Sequence, residues 1–155
     1  MRGKESKKRQ LNPDPIYKSK VVARVISMVL KVGKKSLAES IVYGSLERLN
    51  EDKKEGLSIF EEAVRNIMPQ QEVRSRRVGG ATYQVPLPLK HERAEALAVR
   101  WLVNYSRSKK GKPMIDSLVE EINSAHNGTG DSIKKRDDVH RMAEANRAFA
   151  HFARF

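Results

Sequence analysis

No cysteine occurs among the 155 residues, which excludes disulfides and thiolate metal sites and leaves the fold to packing and partners. Long apolar runs are also missing. The most apolar stretch, Val21 to Leu30, is interrupted by Arg24 and falls well short of the roughly 20 apolar residues a bilayer span requires. The opening MRGKESKKRQ has neither an apolar signal core nor a small-residue cleavage site, so export is not expected and the cytoplasm is the predicted location. Acidic residues are in deficit: 31 Lys and Arg face 19 Asp and Glu, a formal net charge of +12. Self-repulsion of that size is relieved by a polyanion, and nucleic acid is the commonest one. What is present is a 39% hydrophobic content, enough for one core and one domain.

The chain divides into a basic, extended N-terminal arm over residues 1–18 and a helical domain over residues 19–155. The arm carries Arg2, Lys4, Lys7, Lys8 and Arg9, and Pro13 and Pro15 hold it extended. Ser19 is placed to cap a first helix through Lys31 that buries Val21, Val22, Val25, Ile26 and Val29, with Gly33 suited to its left-handed end. A capping box at Ser36 and Glu39 starts a second helix with Leu37, Ile41, Leu46 and Leu49 on its apolar face. Asn50 to Gly56 reads as a surface loop. A second box, Ser58 with Glu61, opens a third helix that uses Ile59, Phe60, Ala63, Val64 and Ile67 and stops at Pro69. A fourth helix resumes near Glu92, with Leu97, Ala98, Trp101, Leu102 and Tyr105 on one side. A fifth follows Pro113 and buries Ile115, Leu118, Val119 and Ile122, and a last one runs from Lys134 to about Phe152 with Val139, Met142, Ala143, Phe149 and Ala150 inward.

Between the third and fourth helices the period changes to two. EVRSRRV, Gly79-Gly80 and ATYQVP predict a β-hairpin at about residues 72–87 whose turn residues both take positive φ. The predicted register sets Val78 opposite Ala81, Arg77 opposite Thr82, Arg76 opposite Tyr83, Ser75 opposite Gln84 and Arg74 opposite Val85. Arg74 and Arg76 then share a face with Tyr83, while Arg77 joins Ser75, Thr82 and Gln84 on the other. Neither face offers the continuous apolar set of a core strand, and Pro86 and Pro88 oppose a wider sheet, so an isolated ribbon is expected. Arginine forks suit phosphates and a tyrosine ring suits base stacking. The predicted fold class is mainly α: a single-domain helical bundle of about six helices with one protruding β-hairpin.

Basic groups also gather at the expected helix boundaries, as Lys34-Lys35, Lys109-Lys110 with Lys112, and Lys134-Lys135-Arg136, a footprint broad enough for several phosphates. The run GKKS from Gly33 to Ser36 lacks the upstream glycine of a phosphate loop, since Met28 stands there. His140 and His151 lie three turns apart and do not give zinc spacing. Neither a metal nor a cofactor is predicted. Asp137, Asp138 and His140 could form an acid–base group, but no nucleophile accompanies them, and placement near a helix start explains the carboxylates. A regulator reading duplex DNA through one helix fits the charge as well, but a glycine-tipped ribbon of arginine and tyrosine better suits irregular or single-stranded RNA.

SRRVGGATYQVP (Ser75 to Pro86) and KKRDDVHRMAEANRAFAHF (Lys134 to Phe152) closely resemble the bacterial and organellar form of the small-subunit ribosomal protein seven family. The likeness extends through DPIY (Asp14 to Tyr17), GKKSLAESIVY (Gly33 to Tyr43) and ALAVRW (Ala96 to Trp101). It implies a non-enzymatic ribosomal constituent, in cytoplasmic or organellar ribosomes, that binds the 3′ major domain of small-subunit ribosomal RNA and starts assembly of the head. By the same resemblance the arm, the Gly33-Lys34-Lys35 corner and Lys109 to Lys112 serve ribosomal RNA. Arg76, Arg77, Val78, Gly79, Gly80 and Tyr83 lie near the ribbon tip, close to exit-site transfer RNA and messenger RNA. The implied neighbours are the ninth and eleventh small-subunit proteins; no membrane and no homo-oligomer are expected. Some relatives repress their own messenger RNA.

Overall fold

Apolar residues at Val22, Val25, Ile26 and Val29 recur at the helical period and wind into α1 (Lys20–Val29), which buries all four. The computed structural model describes residues 3 and 11–154; Arg2, Lys4, Lys7, Lys8 and Arg9 lie outside the described residues. Ser19 stands at the N-cap, but its hydroxyl donates to Glu61 Oε1 at 2.8 Å instead of capping the helix. The helix stops at Val29 rather than Lys31. Positive φ falls on Val32 (+53°) as well as on Gly33 (+73°), so the two residues make a tight corner into the next helix and Gly33 is not a helix cap.

That corner brings the Lys34 carbonyl within 3.3 Å of the Ala38 amide, so α2 (Lys35–Leu49) is already under way before the expected box. Ser36 and Glu39 lie inside the helix, and Glu39 pairs with Lys35 at 3.3 Å. The buried stripe is Ala38, Val42, Ser45 and Leu46, while Leu37, expected inside, is 54% exposed. The next helix, α3 (Lys53–Ile67), likewise starts early. Asp52 Oδ1 accepts from the Lys54 amide at 2.9 Å, so the cap forms six residues ahead of Ser58, which lies inside the helix. Only Asn50 to Asp52 remain as the connection. Gly56 is helical and buried; a Cβ there would stand 3.0 Å from the Leu46 carbonyl oxygen, so its lack of a side chain lets α2 and α3 approach closely.

Central to the bundle is α4 (His91–Ser108), which packs against α1, α3 and α5 (Met114–His126) and also touches α6 (Asp131–Ala145). Ala98, Val99, Leu102 and Val103 are wholly buried, so α4 presents two adjoining apolar faces rather than one. A fully buried valine or leucine contributes about 1.5–3 kcal/mol. Pro113 sits at the N-cap of α5, one residue outside its first turn. The last helix begins at Asp131 and ends at Ala145, and Arg147–Arg154 continue as a 3₁₀ segment. Lys134, Lys135 and Arg136 are therefore inside α6, not at its boundary, and Asp137 and Asp138 are too far along it to serve the helix start. Met142, expected inward, is 47% exposed, while Ala143 beside it is buried as expected.

The hairpin consists of β1 (Gln71–Val78) and β2 (Ala81–Pro88), antiparallel, in the register predicted above. Gly79 and Gly80 take φ of +57° and +92°, the pair of positive values a two-residue turn requires. The sheet has two strands and joins no wider sheet, as expected, but part of the ribbon is packed onto the body. Val85 is wholly buried and Pro86 is buried with it, β1 rests on α6, and β2 packs on the 3₁₀ segment. Val85 and Pro86 are thus covered in the middle of β2 although Pro88 is exposed again, which the alternation around Arg74 to Arg77 could not reveal.

Residues 13–19 fold back instead of running extended, with the Lys18 amide donating to the Asp14 carbonyl at 2.9 Å. Asp14 is 4% exposed. Its Oδ2 accepts from the amides of Ile16 and Tyr17, both at 3.0 Å, and its Oδ1 accepts from the Tyr43 hydroxyl at 2.7 Å. Burial, the hydrogen bond to Asp14 and that carboxylate's charge raise the Tyr43 hydroxyl well above its ordinary 10.0. Above that pH the unfolded chain gives up the Tyr43 proton while the folded chain keeps it, so stability falls as pH rises. Tyr43→Phe is expected to make the alkaline unfolding curve, followed by circular dichroism, shallower with pH; an unchanged slope would contradict the assignment.

Candidate nucleic-acid interface

Two of the basic groups predicted from the sequence are brought together at one end of the bundle. The Val32–Gly33 corner sets Lys34 beside the end of α4, where Arg107 Nη2 donates to the carbonyls of Met28 and Val29 at 3.1 and 2.7 Å. This bond satisfies orphan carbonyls at the end of α1 and ties the corner to the 109–112 loop that follows α4. Their charges differ in availability. Lys34 and Lys110 have no carboxylate partner among the described residues, whereas Lys35 pairs with Glu39. Lys112 binds Glu120 at 2.8 Å; the hydrogen bond raises Lys112 and holds Glu120 below its ordinary value.

Lys109 has a structural task. Its ammonium lies 3.0 Å from Oε2 of Glu121, a carboxylate only 1% exposed. Glu121 Oε1 accepts from the Ser132 amide at 2.9 Å, in the first turn of α6. Burying one charge is costly unless it is paired and hydrogen-bonded, and here both conditions are met. Read as sequence, Glu121 is one more polar residue in an amphipathic helix. Only a charged residue spaced on the same face as Leu118, Ile122 and Ala125 could have hinted at its burial.

The third basic group is dispersed over structural roles. Arg136 Nη1 donates to the Asn66 carbonyl at 2.6 Å, and its guanidinium also pairs with Asp137. Lys134 pairs with Asp131 in the same helix, and Lys135 has no carboxylate partner among the described residues. The acid–base constellation is not assembled. Asp138 pairs with Arg141, and His140 Nε2 accepts from the Gln70 amide at 3.0 Å, capping the entry to β1.

On the ribbon, Glu72 near the root holds Arg74 at 2.6 Å and Arg93 of α4 at 3.2 Å. Arg76 leans toward the Phe152 carbonyl, a long 3.5 Å contact. Tyr83 is not a free stacking plane. Its ring lies 5.2 Å from that of Phe149 and 5.0 Å from that of Phe152, distances typical of packed aromatic pairs. Arg77, exposed and without a carboxylate partner among the described residues, is the cation left at the tip beside Val78, Gly79 and Gly80. The aromatic contacts to Phe149 and Phe152 were not foreseen, because they depend on the 3₁₀ segment turning back onto β2.

A mainly helical, strongly basic domain with an arginine-tipped β-ribbon has the electrostatic footprint of the nucleic-acid-binding class of proteins. Among the described residues no helix is long and apolar enough to cross a membrane. The chain belongs to the family described as ribosomal protein S7p/S5e, which it matches over residues 1–147. It is similar to the small ribosomal subunit protein uS7 of Fervidobacterium nodosum, with 50% identity covering 98% of this chain and 99% of that protein. The protein of the same name from Pelotomaculum thermopropionicum is 53% identical, with 94% of each chain covered. That of Thermotoga maritima is 52% identical, covering 98% of this chain and 99% of its own. The family is one of ribosomal structural proteins, not enzymes.

Proposed function

We propose that this chain is a structural constituent of the small ribosomal subunit that binds the 3′ major domain of its ribosomal RNA, nucleates head assembly and holds the Gly79–Gly80 ribbon near exit-site transfer RNA and messenger RNA. The near full-length identity to small ribosomal subunit proteins carries this reading. The net charge of +12 and the grouping of Lys34 with the 109–112 loop support it. In this reading the ribosome is its location, and the ninth and eleventh small-subunit proteins are its neighbours. The N-terminal arm and the body end at Lys34 and Lys110 supply the phosphate contacts, and the chain acts as a single copy.

Chemical footprinting on naked small-subunit ribosomal RNA is expected to give compact protection confined to the 3′ domain. Protection no different from that by an unrelated basic protein would overturn the reading. In the same assay Arg77→Ala, alone or with Arg76→Ala, leaves folding and the footprint intact, while subunits carrying it lose exit-site transfer RNA faster or slip frame more often. Arg77 carries more of that effect than Arg76, whose side chain is half covered.

A further inference from the structure

At the basic end of the bundle an open groove of about 450 Å³ runs between the α1–α2 corner and the start of α5. Its apolar lining includes Leu37, Ile41 and Met114, and Lys31, Lys34 and Arg107 line it with positive charge. No carboxylate lines it among the described residues. Two features gain the free chain nothing. Val32 is β-branched yet held at φ +53°, where glycine would sit without strain, and it is 94% exposed. Leu37, which lines the same groove, is 54% exposed.

We infer that this groove receives one unstacked base of the bound RNA, with Val32 and Leu37 against its face and the flanking phosphates on Lys31 and Lys34. The inference rests on the ribosomal RNA reading above and specifies what that end of the protein recognises. Paired RNA presents phosphate and sugar on its outside and has no use for an apolar lining, whereas an unstacked base offers an apolar face flanked by two anions. The partly apolar, partly cationic, carboxylate-free lining matches that combination. Arg107 suits it further: its guanidinium is fixed by two carbonyls, so it offers a planar surface that needs no ordering when the base arrives. Strain kept at an exposed position then has a reason, since the side chain is covered only in the complex.

The test uses the full chain, a transcript of the 3′ major domain and a fully paired RNA duplex of similar length. Val32→Gly is expected to raise the melting temperature while lowering affinity for the domain by about 5-fold to 100-fold, the range for one lost base contact. Leu37→Ser is expected to lower affinity for the domain about tenfold with an unchanged salt slope. Neither variant changes binding to the duplex. Both are exposed positions, so folding is retained. Wild-type affinity in both variants would overturn the inference and leave a protein neighbour as the occupant. An equal loss on domain and duplex would overturn it too, by reducing the site to a general backbone contact. A wild-type chain that does not prefer the domain to the duplex overturns instead the ribosomal RNA reading beneath it.

Discussion

Glu121→Ala is expected to lower the unfolding free energy by about 3 kcal/mol, the lower end of the cost of breaking a buried ion pair. That corresponds to a fall in melting temperature of roughly 6–12 °C for a domain of this size. Three losses combine. The Ser132 amide at the start of α6 loses its acceptor, the Lys109 ammonium loses its nearer partner, and a cavity opens beside Gly130, where a Cβ would stand 3.1 Å from Glu121 Oε1. Lys109 is 21% exposed and has Glu120 at 3.6 Å to turn to, which keeps the loss near the lower figure. Glu121→Gln retains an acceptor for Ser132 and fills the space, so it costs less than alanine. Thermal unfolding of the two variants checks the order, and a change below about 1 kcal/mol for alanine would refute a buried pair. The functional consequence is looser placement of the 109–112 loop, and hence of Lys110.

The second large effect concerns salt. With about 6–10 phosphates neutralised, affinity for the 3′ major domain falls by roughly 10³–10⁵ between 50 and 200 mM salt. The structure divides the contributors. Lys34→Ala and Lys110→Ala each reduce the slope of log affinity against log salt by about 1, because both cations are available to phosphate. Arg136→Ala leaves the slope unchanged and lowers stability instead, since that guanidinium is spent on the Asn66 carbonyl and Asp137. Equilibrium titrations at several salt concentrations measure both. A flat response would refute the electrostatic footprint, and an Arg136 variant with a reduced slope would refute the division.

The hairpin shows what was legible in advance and what was not. Its register and turn follow from local rules alone, because two adjacent glycines fix the turn and the turn fixes every opposing pair. The packing of Tyr83 on Phe149 and Phe152 joins chain segments more than sixty residues apart, and the burial of Val85 and Pro86 belongs to a strand that also meets α6. The helix starts failed for a related reason. Ser36 and Ser58 are competent caps, but the Val32–Gly33 corner and Asp52 had already set the chain in helical geometry upstream. Asp52 with Glu55 is itself a box-like spacing, masked by reading the charged stretch as a loop.

The sequence by itself determined the mainly helical class, the single β-hairpin with its register, the basic character and the family, because each depends on composition, on the period of apolar residues or on contiguous motifs. Tertiary structure alone decided which cations are available. Lys34, Arg77 and Lys110 look no different in sequence from Lys109 and Arg136, and only packing put a buried Glu121 beside one and the Asn66 carbonyl beside the other. Charge is a property of the residue, but availability depends on the partners that folding places within reach.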